Sequence, residues 1–231
     1  MLQRMLSRAK GNAAYALAPE IDERLAFEIL ASVGPKFGRG LLLRPRLGSC
    51  KGVPLVGRGV RVNNPHLIRC GQGFVAEDFA EIQGLSREGV EFGDNVTVGR
   101  GAQIRPSGYY GRDVGVGLSV GSDSNVGPQA YIGASGGIRI GNHVLMGPGV
   151  IILSEEHIFS DPGQPTKAQG VRPVPTVIED NVWIGARVTV LGGSRVGTGS
   201  VIAAGAVVRD DVPTNTVVAG VPARVVRDRT Q

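Results

Sequence analysis

The chain contains three histidines, and one of them has an unusual setting. His157 lies within residues 154–170, "SEEHIFSDPGQPTKAQG", a stretch rich in Pro, Gly and charged residues. Imidazole has an ordinary pKa of about 6.5, so a histidine is largely neutral at pH 7 and can act as a general base. Such a base removes the proton of an attacking hydroxyl and typically contributes about 10² to 10⁴ in rate. The setting makes His157 a candidate general base.

Several other side chains could support this chemistry. Glu155, Glu156 and Asp161 are candidates for orienting the His157 ring, although each is also typical of a solvated loop.

The sequences around the other two histidines give weaker indications of a catalytic role. His66, in "NNPHLIRC", is expected in a turn or facing solvent. His143, in "GNHVLMG", is expected on the outside of a regular element, close enough to the loop to be a weaker candidate for lining the site. Zinc in a γ-type carbonic anhydrase requires three histidines, two of them five residues apart, and no such pair occurs here. We expect no metal to be required.

The loop that carries His157 interrupts a repeat of six residues. An aliphatic side chain recurs at every sixth position, often followed by Gly, and the series misses at Ser86. Glycine after the aliphatic residue marks a tight corner, so each hexad predicts one short strand and one turn. Three hexads would form a triangular coil, and stacked coils predict a parallel β-helix. The repeated positions are Val56, Val62, Ile68, Phe74, Ala80, Phe92, Val98 and Ile104, then Val114, Val120, Val126, Ile132 and Ile138, then Ile140, Met146 and Ile152, and finally Ile178, Ile184, Val190, Val196, Ile202 and Val208.

An α-helix is expected before the repeat. The segment "PEIDERLAFEILASVG" has apolar residues at a spacing of four, begins after Pro19 and is expected to end at Gly34-Pro35. Such a helix can cover the open end of the first coil, or it can dock on a membrane surface or a partner enzyme. We therefore divide the chain into a helical capping segment at residues 1–54, a β-helix at 55–212 with a loop at 153–177, and a carboxyl-terminal extension at 213–231.

Composition limits the classes of function. The 231 residues are 42% apolar with 36 Gly and 5% aromatics, which fits one aliphatic core with many turns. The net charge of +5 suggests an anionic partner, for which a phosphorylated small molecule fits better than nucleic acid because aromatic platforms are few.

The cysteines and the hydropathy pattern point to the cytoplasm. Cys50 and Cys70 form no CxxC motif and are expected to be ordinary reduced residues, neither of them a nucleophile. No apolar run approaches the length of a membrane span, and the first residues lack the apolar core of a signal peptide. We expect a soluble, cytoplasmic protein.

The repeat resembles that of a known family. The pattern [LIV]-G-x-x-x-x over residues 56–208 is similar to the left-handed parallel β-helix of the hexapeptide-repeat acyltransferases. The segment "VIEDNVWIGARVTVLGGSRVGTGSVIAAGAVVRDDVPTNTVVAGVPARVVRDR" resembles the sugar O-acetyltransferase group, which includes maltose, galactoside, xenobiotic and capsular-polysaccharide acetyltransferases. The resemblance implies a left-handed helix, acetyl-CoA as co-substrate, a catalytic histidine at His157, and a homotrimer whose active sites lie between subunits.

The resemblance also implies a donor site. The pantetheine arm would follow the backbone after the "WIG" motif and at the later "AG" coil, and the phosphates would meet the basic residues Arg224 and Arg227. This chain departs from the family where "VVRDDVP" replaces "VVTKDVP", so Arg209 stands at the threonine position and Asp210 replaces the lysine. Loss of the lysine weakens the expectation of phosphate binding there, and Arg209 is expected to substitute for it if its side chain points the same way. The pantetheine positions are Trp183, Gly185, Ala186, Ala204 and Gly205.

These observations predict an acetyl-CoA-dependent O-acetyltransferase that modifies a sugar hydroxyl in cell-surface polysaccharide biosynthesis. The acceptor would be a sugar, a nucleotide sugar or a polysaccharide precursor, and the resemblance allows peripheral association with membrane-bound polysaccharide assembly. Two alternatives in the same class are an amino-sugar N-acetyltransferase and an antibiotic acetyltransferase. A non-catalytic β-helix used for assembly is a third, which the presence of His157 disfavours.

Overall fold

The computed structural model of this chain describes residues 22–108 and 114–230. The repeat region folds as a left-handed parallel β-helix, which confirms the predicted fold class. Successive short strands pass from face to face around a triangular cross-section, and strands of successive coils pair in parallel, with one break on the second face between Asn125–Val126 and Leu145–Met146. We call the three faces A, B and C in the order in which the chain visits them.

The three faces contain most of the described strands. Face A consists of Ser49–Cys50, Ile68–Cys70, Val90–Phe92, Leu118–Val120, Ile138–Ile140, Thr176–Ile178 and Arg195–Val196. Face B consists of Leu55–Val56, Val75–Ala76, Thr97–Val98, Asn125–Val126, Leu145–Met146, Trp183–Ile184, Val201–Ile202 and Thr216–Ala219, to which Arg224–Asp228 adds antiparallel. Face C consists of Arg61–Asn63, Glu81–Gln83, Gln103–Arg105, Tyr131–Gly133, Ile151–Leu153, Thr189–Val190 and Val207–Val208.

Each face sends one column of side chains into the core. On face C the strand register stacks Ile82, Ile104, Ile132, Ile152 and Val190 directly above one another, and all are at most 2% exposed. Side chains in register on parallel strands point to the same side, so the inward position must be apolar on every coil. This requirement is the physical origin of the six-residue period.

The structure corrects the phase of the repeat in two places. Between Val62 and Phe92 the in-register core positions are Cys70, Ala76 and Ile82, each two residues after the position that the sequence predicted. The cause is a 3-10 turn, Pro65–Leu67, which lengthens the corner and delays the next strand. The predicted positions Ile68, Phe74 and Ala80 are nevertheless buried. The second correction concerns Val114, which lies outside the strands in an irregular segment that precedes Leu118–Val120.

Departures from the six-residue period share one location. Each lies where the chain leaves face C and enters face A, an edge that we call the C–A corner. The last two passages through this corner carry no extra residues. The inserted segments are residues 64–67, 84–89, 106–117, 134–137 and 154–175.

The helix before the repeat, α1, spans Glu23–Leu43 and begins at Asp22, whose carboxylate accepts a hydrogen bond of 2.7 Å from the N–H of Leu25. The expected start at Pro19 lies outside the described residues. The expected end at Gly34-Pro35 is wrong, because the helix continues through Pro35 to Leu43.

Contacts with the first coil explain why α1 does not stop at proline. The guanidinium of Arg39 donates a hydrogen bond of 2.8 Å to the carbonyl of Val56. Gly40 packs so closely that a Cβ there would lie 1.7 Å from the carbonyl oxygen of Pro54. Tertiary packing therefore outweighs the loss of one helical hydrogen bond at Pro35. Among the residues that the structure describes, no helix is long and apolar enough to cross a membrane.

Neighbouring residues of one strand should differ in their contribution to the free energy of unfolding, because only one of them belongs to the inward column. Ile178 is 1% exposed, whereas Val177 beside it faces outward. We expect Ile178→Ala to destabilise the protein by about 2–5 kcal/mol, because it removes buried carbon atoms and leaves a cavity. The matched control Val177→Ala should cost less than about 1 kcal/mol. Equilibrium unfolding in denaturant measures both, and equal losses would contradict the assignment of the core face.

Candidate active site

His157 lies on a hairpin that projects from the C–A corner. The strand Glu155–His157 pairs antiparallel with Val171–Pro173, so that Glu155 faces Pro173 and His157 faces Val171. Alternate residues of a strand share one side, so His157 projects from the same side of the hairpin as Glu155. The histidine is exposed to solvent.

The tip of this hairpin is tied together by one side chain. Gln169, at the end of the short helix α2 (Thr166–Gln169), donates hydrogen bonds to the carbonyls of Asp161 at 2.9 Å and Gln164 at 3.0 Å. Its amide oxygen accepts a bond of 3.1 Å from the N–H of Asp161. The glutamine of the "QG" pair therefore closes the loop beyond His157.

A cleft of about 610 Å³ opens beside the base of the hairpin. Glu155, Val171 and Pro173 form its hairpin wall, and Tyr131 on face C forms part of its floor. His157 is not itself a lining residue, but it lies two residues after Glu155 on the hairpin that borders the cleft. The remaining lining residues are Arg87, Arg105, Ser107, Gly108, Val114, Gly115, Val116, Gly133, Ser135 and Gly170.

The insertions of the C–A corner build this cleft by bonding to one another. The hydroxyl of Ser107 donates to the carbonyl of Leu85 at 2.6 Å and accepts from the N–H of Gly115 at 2.8 Å. Gly115 must be glycine, because a Cβ would lie 1.8 Å from the carbonyl oxygen of Pro106. Nearer the hairpin, buried Ser154 accepts a hydrogen bond of 2.9 Å from the N–H of Gly136. These hydrogen bonds join the described parts of neighbouring insertions into one wall of the cleft.

None of the three carboxylates predicted as orienting partners bonds to His157. Glu155 accepts a short hydrogen bond from the hydroxyl of Ser135, and Glu156 forms an ion pair of 2.7 Å with Arg172. Asp161 accepts from the N–H of Gly163 and from the side chain of Gln164. Within the described part of the chain no hydrogen bond holds the His157 ring, so both ring nitrogens are accessible.

The other histidines lie away from the hairpin. His143 occupies a left-handed turn (φ 55°) where face A passes to face B, and exposed His66 lies in the early 3-10 turn of the C–A corner. Across residues 22–108 and 114–230, no group of three or more His, Cys, Asp or Glu could hold a metal ion.

Four of the five positions predicted for the pantetheine arm lie where face B passes to face C, an edge that we call the B–C corner, and Trp183 lies on the face B strand that leads into it. Trp183 is 52% exposed, and the N–H of Gly205 bonds to the carbonyl of Ala186 on the neighbouring coil at 2.8 Å. A Cβ on Gly205 would meet no atom within 4 Å, so the surface beside exposed Ala204 is open. Gly185 is different: a Cβ there would lie 2.6 Å from the backbone N of Ala204, so coil stacking alone requires its glycine.

Two of the three predicted phosphate-binding arginines lie close together. Asp210 contacts Arg209 at 3.3 Å and Arg224 at 3.4 Å, and all three border a cavity of about 330 Å³ below the last coil. Arg227 is separate, since its guanidinium donates to the carbonyl of Asp228 at 3.1 Å. Hydrogen bonds from Thr230 lower the pKa of the Asp228 carboxyl, which keeps a negative charge near Arg227.

One chain does not bring all these groups to a single place. The hairpin with His157 belongs to the C–A corner, whereas Ala204 and Gly205 belong to the B–C corner, and face C lies between the two edges. The geometry therefore divides the predicted residues into two separate half-sites.

Several lining residues of the cleft were not predicted from the sequence. Tyr131, Arg87 and Ser135 have no motif of their own, and Arg105 forms an ion pair of 3.3 Å with Glu81. The available signal was the run of departures from the six-residue period, because all of them fall at one corner.

Comparison with known families agrees with the coils described above. Residues 175–210 match the family described as bacterial transferase hexapeptide (six repeats). Over these residues the chain therefore carries the hexapeptide repeat of that transferase family. The matched residues cover the coils just after the His157 hairpin, including the "WIG" and "AG" corners.

Related sequences of this hexapeptide-repeat protein are acetyltransferases. The galactoside O-acetyltransferase of Lactococcus lactis is 46% identical over 90 residues, which are 39% of this chain and 42% of that protein. A 2,3,4,5-tetrahydropyridine-2,6-dicarboxylate N-acetyltransferase of Staphylococcus aureus is 53% identical over 57 residues, which are 25% of this chain and 24% of that protein. The matches therefore span less than half the length of these relatives.

A solved structure shares the fold of this hexapeptide-repeat protein. AntD, an N-acyltransferase from Bacillus cereus in complex with dTDP and 3-hydroxybutyryl-CoA, superposes with a TM-score of 0.55 at 17% identity. The superposition covers 83% of this chain and 88% of AntD. At this identity the likeness concerns the fold.

The role of Gln169 can be tested in this hexapeptide-repeat protein without knowing the acceptor. We expect Gln169→Ala to speed amide hydrogen exchange in residues 158–170 by roughly 5-fold to 30-fold, which corresponds to a loss of about 1–2 kcal/mol from the missing hydrogen bonds. Lys167→Ala, a change on the same short helix, should leave exchange unaltered. Acceleration spread over the coils, or none in the loop, would show that Gln169 does not close the hairpin.

Proposed function

We propose that this protein is an acetyl-CoA-dependent O-acetyltransferase that acts on a sugar hydroxyl with His157 as general base. The observation that supports the proposal is that exposed His157 lies on the hairpin that borders the cleft, two residues after the lining residue Glu155, with ring nitrogens that no described residue engages. A base must reach the proton that it removes, and an open ring beside a cleft satisfies this condition.

The proposed reaction is a direct transfer. His157 removes the proton of the acceptor hydroxyl while the oxygen attacks the thioester carbon, and it then returns that proton to the departing sulfur. No cysteine borders the cleft in the described residues, so we infer no acyl-enzyme intermediate. Binding both reactants in one site lowers the activation barrier, because the entropy lost in bringing them together is lost on binding rather than in the chemical step.

The cleft is suited to a sugar acceptor. The Tyr131 ring offers an apolar surface to a sugar ring, and Arg87, Ser135 and Glu155 offer donors and acceptors for hydroxyl groups. The hydrogen bond from Ser135 fixes the Glu155 carboxylate, so part of this polar set is preorganised. A nucleotide sugar or a polysaccharide precursor would present the same sugar ring.

The B–C corner is suited to acetyl-CoA. The open backbone at Ala204 and Gly205, beside exposed Trp183 and Ala186, would hold the pantetheine arm. Arg209 and Arg224 would meet the phosphates, although Asp210 already neutralises part of their charge. Arg227, with its own partner, is the weakest member of this set. When bound, acetyl-CoA supplies the activated acyl group.

We infer that the active enzyme is a homotrimer. A complete site needs the C–A corner of one subunit beside the B–C corner of another, and a closed ring of three copies provides three such sites. Exposed apolar side chains support this arrangement: Phe159 at the hairpin tip is 76% exposed, and Leu145 and Trp183 are paired on face B. The hairpin is thus suited to lie against a neighbouring copy.

We favour a hydroxyl oxygen over an amine nitrogen as the nucleophile of the acceptor. The relative matched over the longer region is the galactoside O-acetyltransferase, over 90 residues, whereas the N-acetyltransferase matches over 57. An amino-sugar N-acetyltransferase is therefore the second candidate. We place the O-acetylation in cell-surface polysaccharide assembly, and we place the protein in the cytoplasm, where acetyl-CoA is available.

The central experiment concerns His157. We expect His157→Ala to lower kcat by about 10² to 10⁴, because the acceptor proton loses its base. The measurement is free-thiol release from acetyl-CoA with a panel of sugars, amino sugars, nucleotide sugars and surface oligosaccharides. His143→Ala is the matched control and should retain activity. Unchanged turnover in His157→Ala would mean that another group removes the proton.

The shared site makes a further prediction. Ala204→Trp should block the arm at the B–C corner, and His157→Ala should remove the base at the C–A corner, so each variant alone is inactive. Unfolding the two variants together and refolding them should restore part of the activity, because mixed trimers contain some intact sites. Light scattering should report about three times the mass of one chain. Mixed trimers without activity would contradict a site shared between subunits.

A further inference from the structure

Cys50 and Cys70 lie side by side in the structure, although no sequence motif links them. They end the strands Ser49–Cys50 and Ile68–Cys70 of face A and are direct partners in the parallel register. Backbone hydrogen bonds on both sides hold this register, since the N–H of Gly48 bonds to Ile68 at 3.0 Å and the N–H of Lys51 bonds to Cys70 at 3.0 Å. The two thiols therefore occupy adjacent levels of one column.

The spacing of the two strands is compatible with a covalent link. Neighbouring strands of a sheet lie about 4.8 Å apart, which is within the Cα separation of about 4.4–6.8 Å that disulfides span. Side chains at paired positions of parallel strands point the same way, and both cysteines pack into or against the core. A disulfide would require rotation of the side chains and little backbone movement.

The two thiols differ in accessibility and reactivity. Cys50 is partly exposed, whereas Cys70 is buried. A hydrogen bond from the Cys70 thiol, with a smaller contribution from the nearby Arg44, lowers the pKa of Cys50 to about 7. The same hydrogen bond and burial raise the pKa of Cys70. An accessible thiol with thiolate character beside a buried partner is the arrangement of an attacking and a resolving cysteine.

We propose that Cys50 and Cys70 form a reversible disulfide when the protein meets a hydroperoxide. The Cys50 thiolate attacks one oxygen of the peroxide, an S–O bond forms as the O–O bond breaks, and Cys50 becomes a sulfenic acid; the other oxygen takes up a proton and leaves as the alcohol, or as water when the peroxide is hydrogen peroxide. The sulfur of Cys70 then attacks the sulfur of Cys50, the S–S bond forms as the S–O bond breaks, and the departing hydroxide takes the proton of the Cys70 thiol and leaves as water. The peroxide is reduced, and the two thiols are oxidised.

The link would join the first coil to the second. The first coil also supports α1 through Arg39 and Gly40, so the disulfide would reinforce the end of the β-helix on which that helix rests. This end lies outside both half-sites, so the proposal does not depend on the acetyltransferase function. The modification is a stabilising response to oxidation.

The test uses the full-length reduced protein and hydrogen peroxide at a few equivalents. We expect the intact mass to fall by two hydrogen atoms, a peptide map to join the segments around residues 50 and 70, and dithiothreitol to reverse both changes. The oxidised protein should melt about 5 °C or more above the reduced protein, because the link closes a loop in the unfolded chain. Disulfide-linked dimers, or thiols that persist or pass to sulfinic acid without linking, would overturn the proposal.

Two matched variants separate the roles of the cysteines. In Cys70→Ser, peroxide should convert Cys50 to a sulfenic acid that dimedone traps, because no resolving thiol is present. In Cys50→Ser, the buried Cys70 should remain a thiol. The reverse pattern would overturn the assignment of the attacking residue. If a serine variant fails to fold, the alanine variant at the same position replaces it, and the wild-type peptide map stands independently of both.

Discussion

Stacking of coil upon coil is the constraint on which the rest of the structure depends. Each short strand has only two to five residues and is held through hydrogen bonds to the coils beside it. The inward side chains must therefore be apolar and must remain in register from coil to coil. Turns between strands must also let the backbones approach, which explains why Gly185 and Gly115 cannot carry a side chain. The sites for chemistry are confined to the outward residues and the corners.

The period of the inward column made the fold predictable from the sequence. The same reasoning located the His157 loop, because an interruption is conspicuous against a regular background. It misplaced core positions between Val62 and Phe92, since one extra turn at Pro65–Leu67 shifts the phase while leaving buried side chains at the predicted positions. It also ended α1 at Pro35, where contacts of Arg39 and Gly40 with the first coil outweigh the local preference.

The cleft could not be predicted because its parts are distant in sequence and share no motif. Tyr131, Ser135 and Glu155 meet only because insertions at the C–A corner stack in register. The pairing of Cys50 with Cys70 was hidden for the same reason, since the shifted phase placed them on unrelated positions of the repeat. The separation of the C–A corner from the B–C corner could not be predicted from the sequence either, because it follows from the path of the chain around three faces.

Confinement of the insertions to one corner separates the stability of the stacked coils from the shape of the cleft. From Ile178 to Val208 the coils after the hairpin keep the six-residue period, and the long segments 106–117 and 154–175 both lie at the C–A corner, outside the strands of the three faces. The variable segments therefore lie along a single edge of an otherwise regular scaffold. Under the proposed function, exchange of those segments between hexapeptide-repeat proteins would change the choice of acceptor while the stacked coils stay the same.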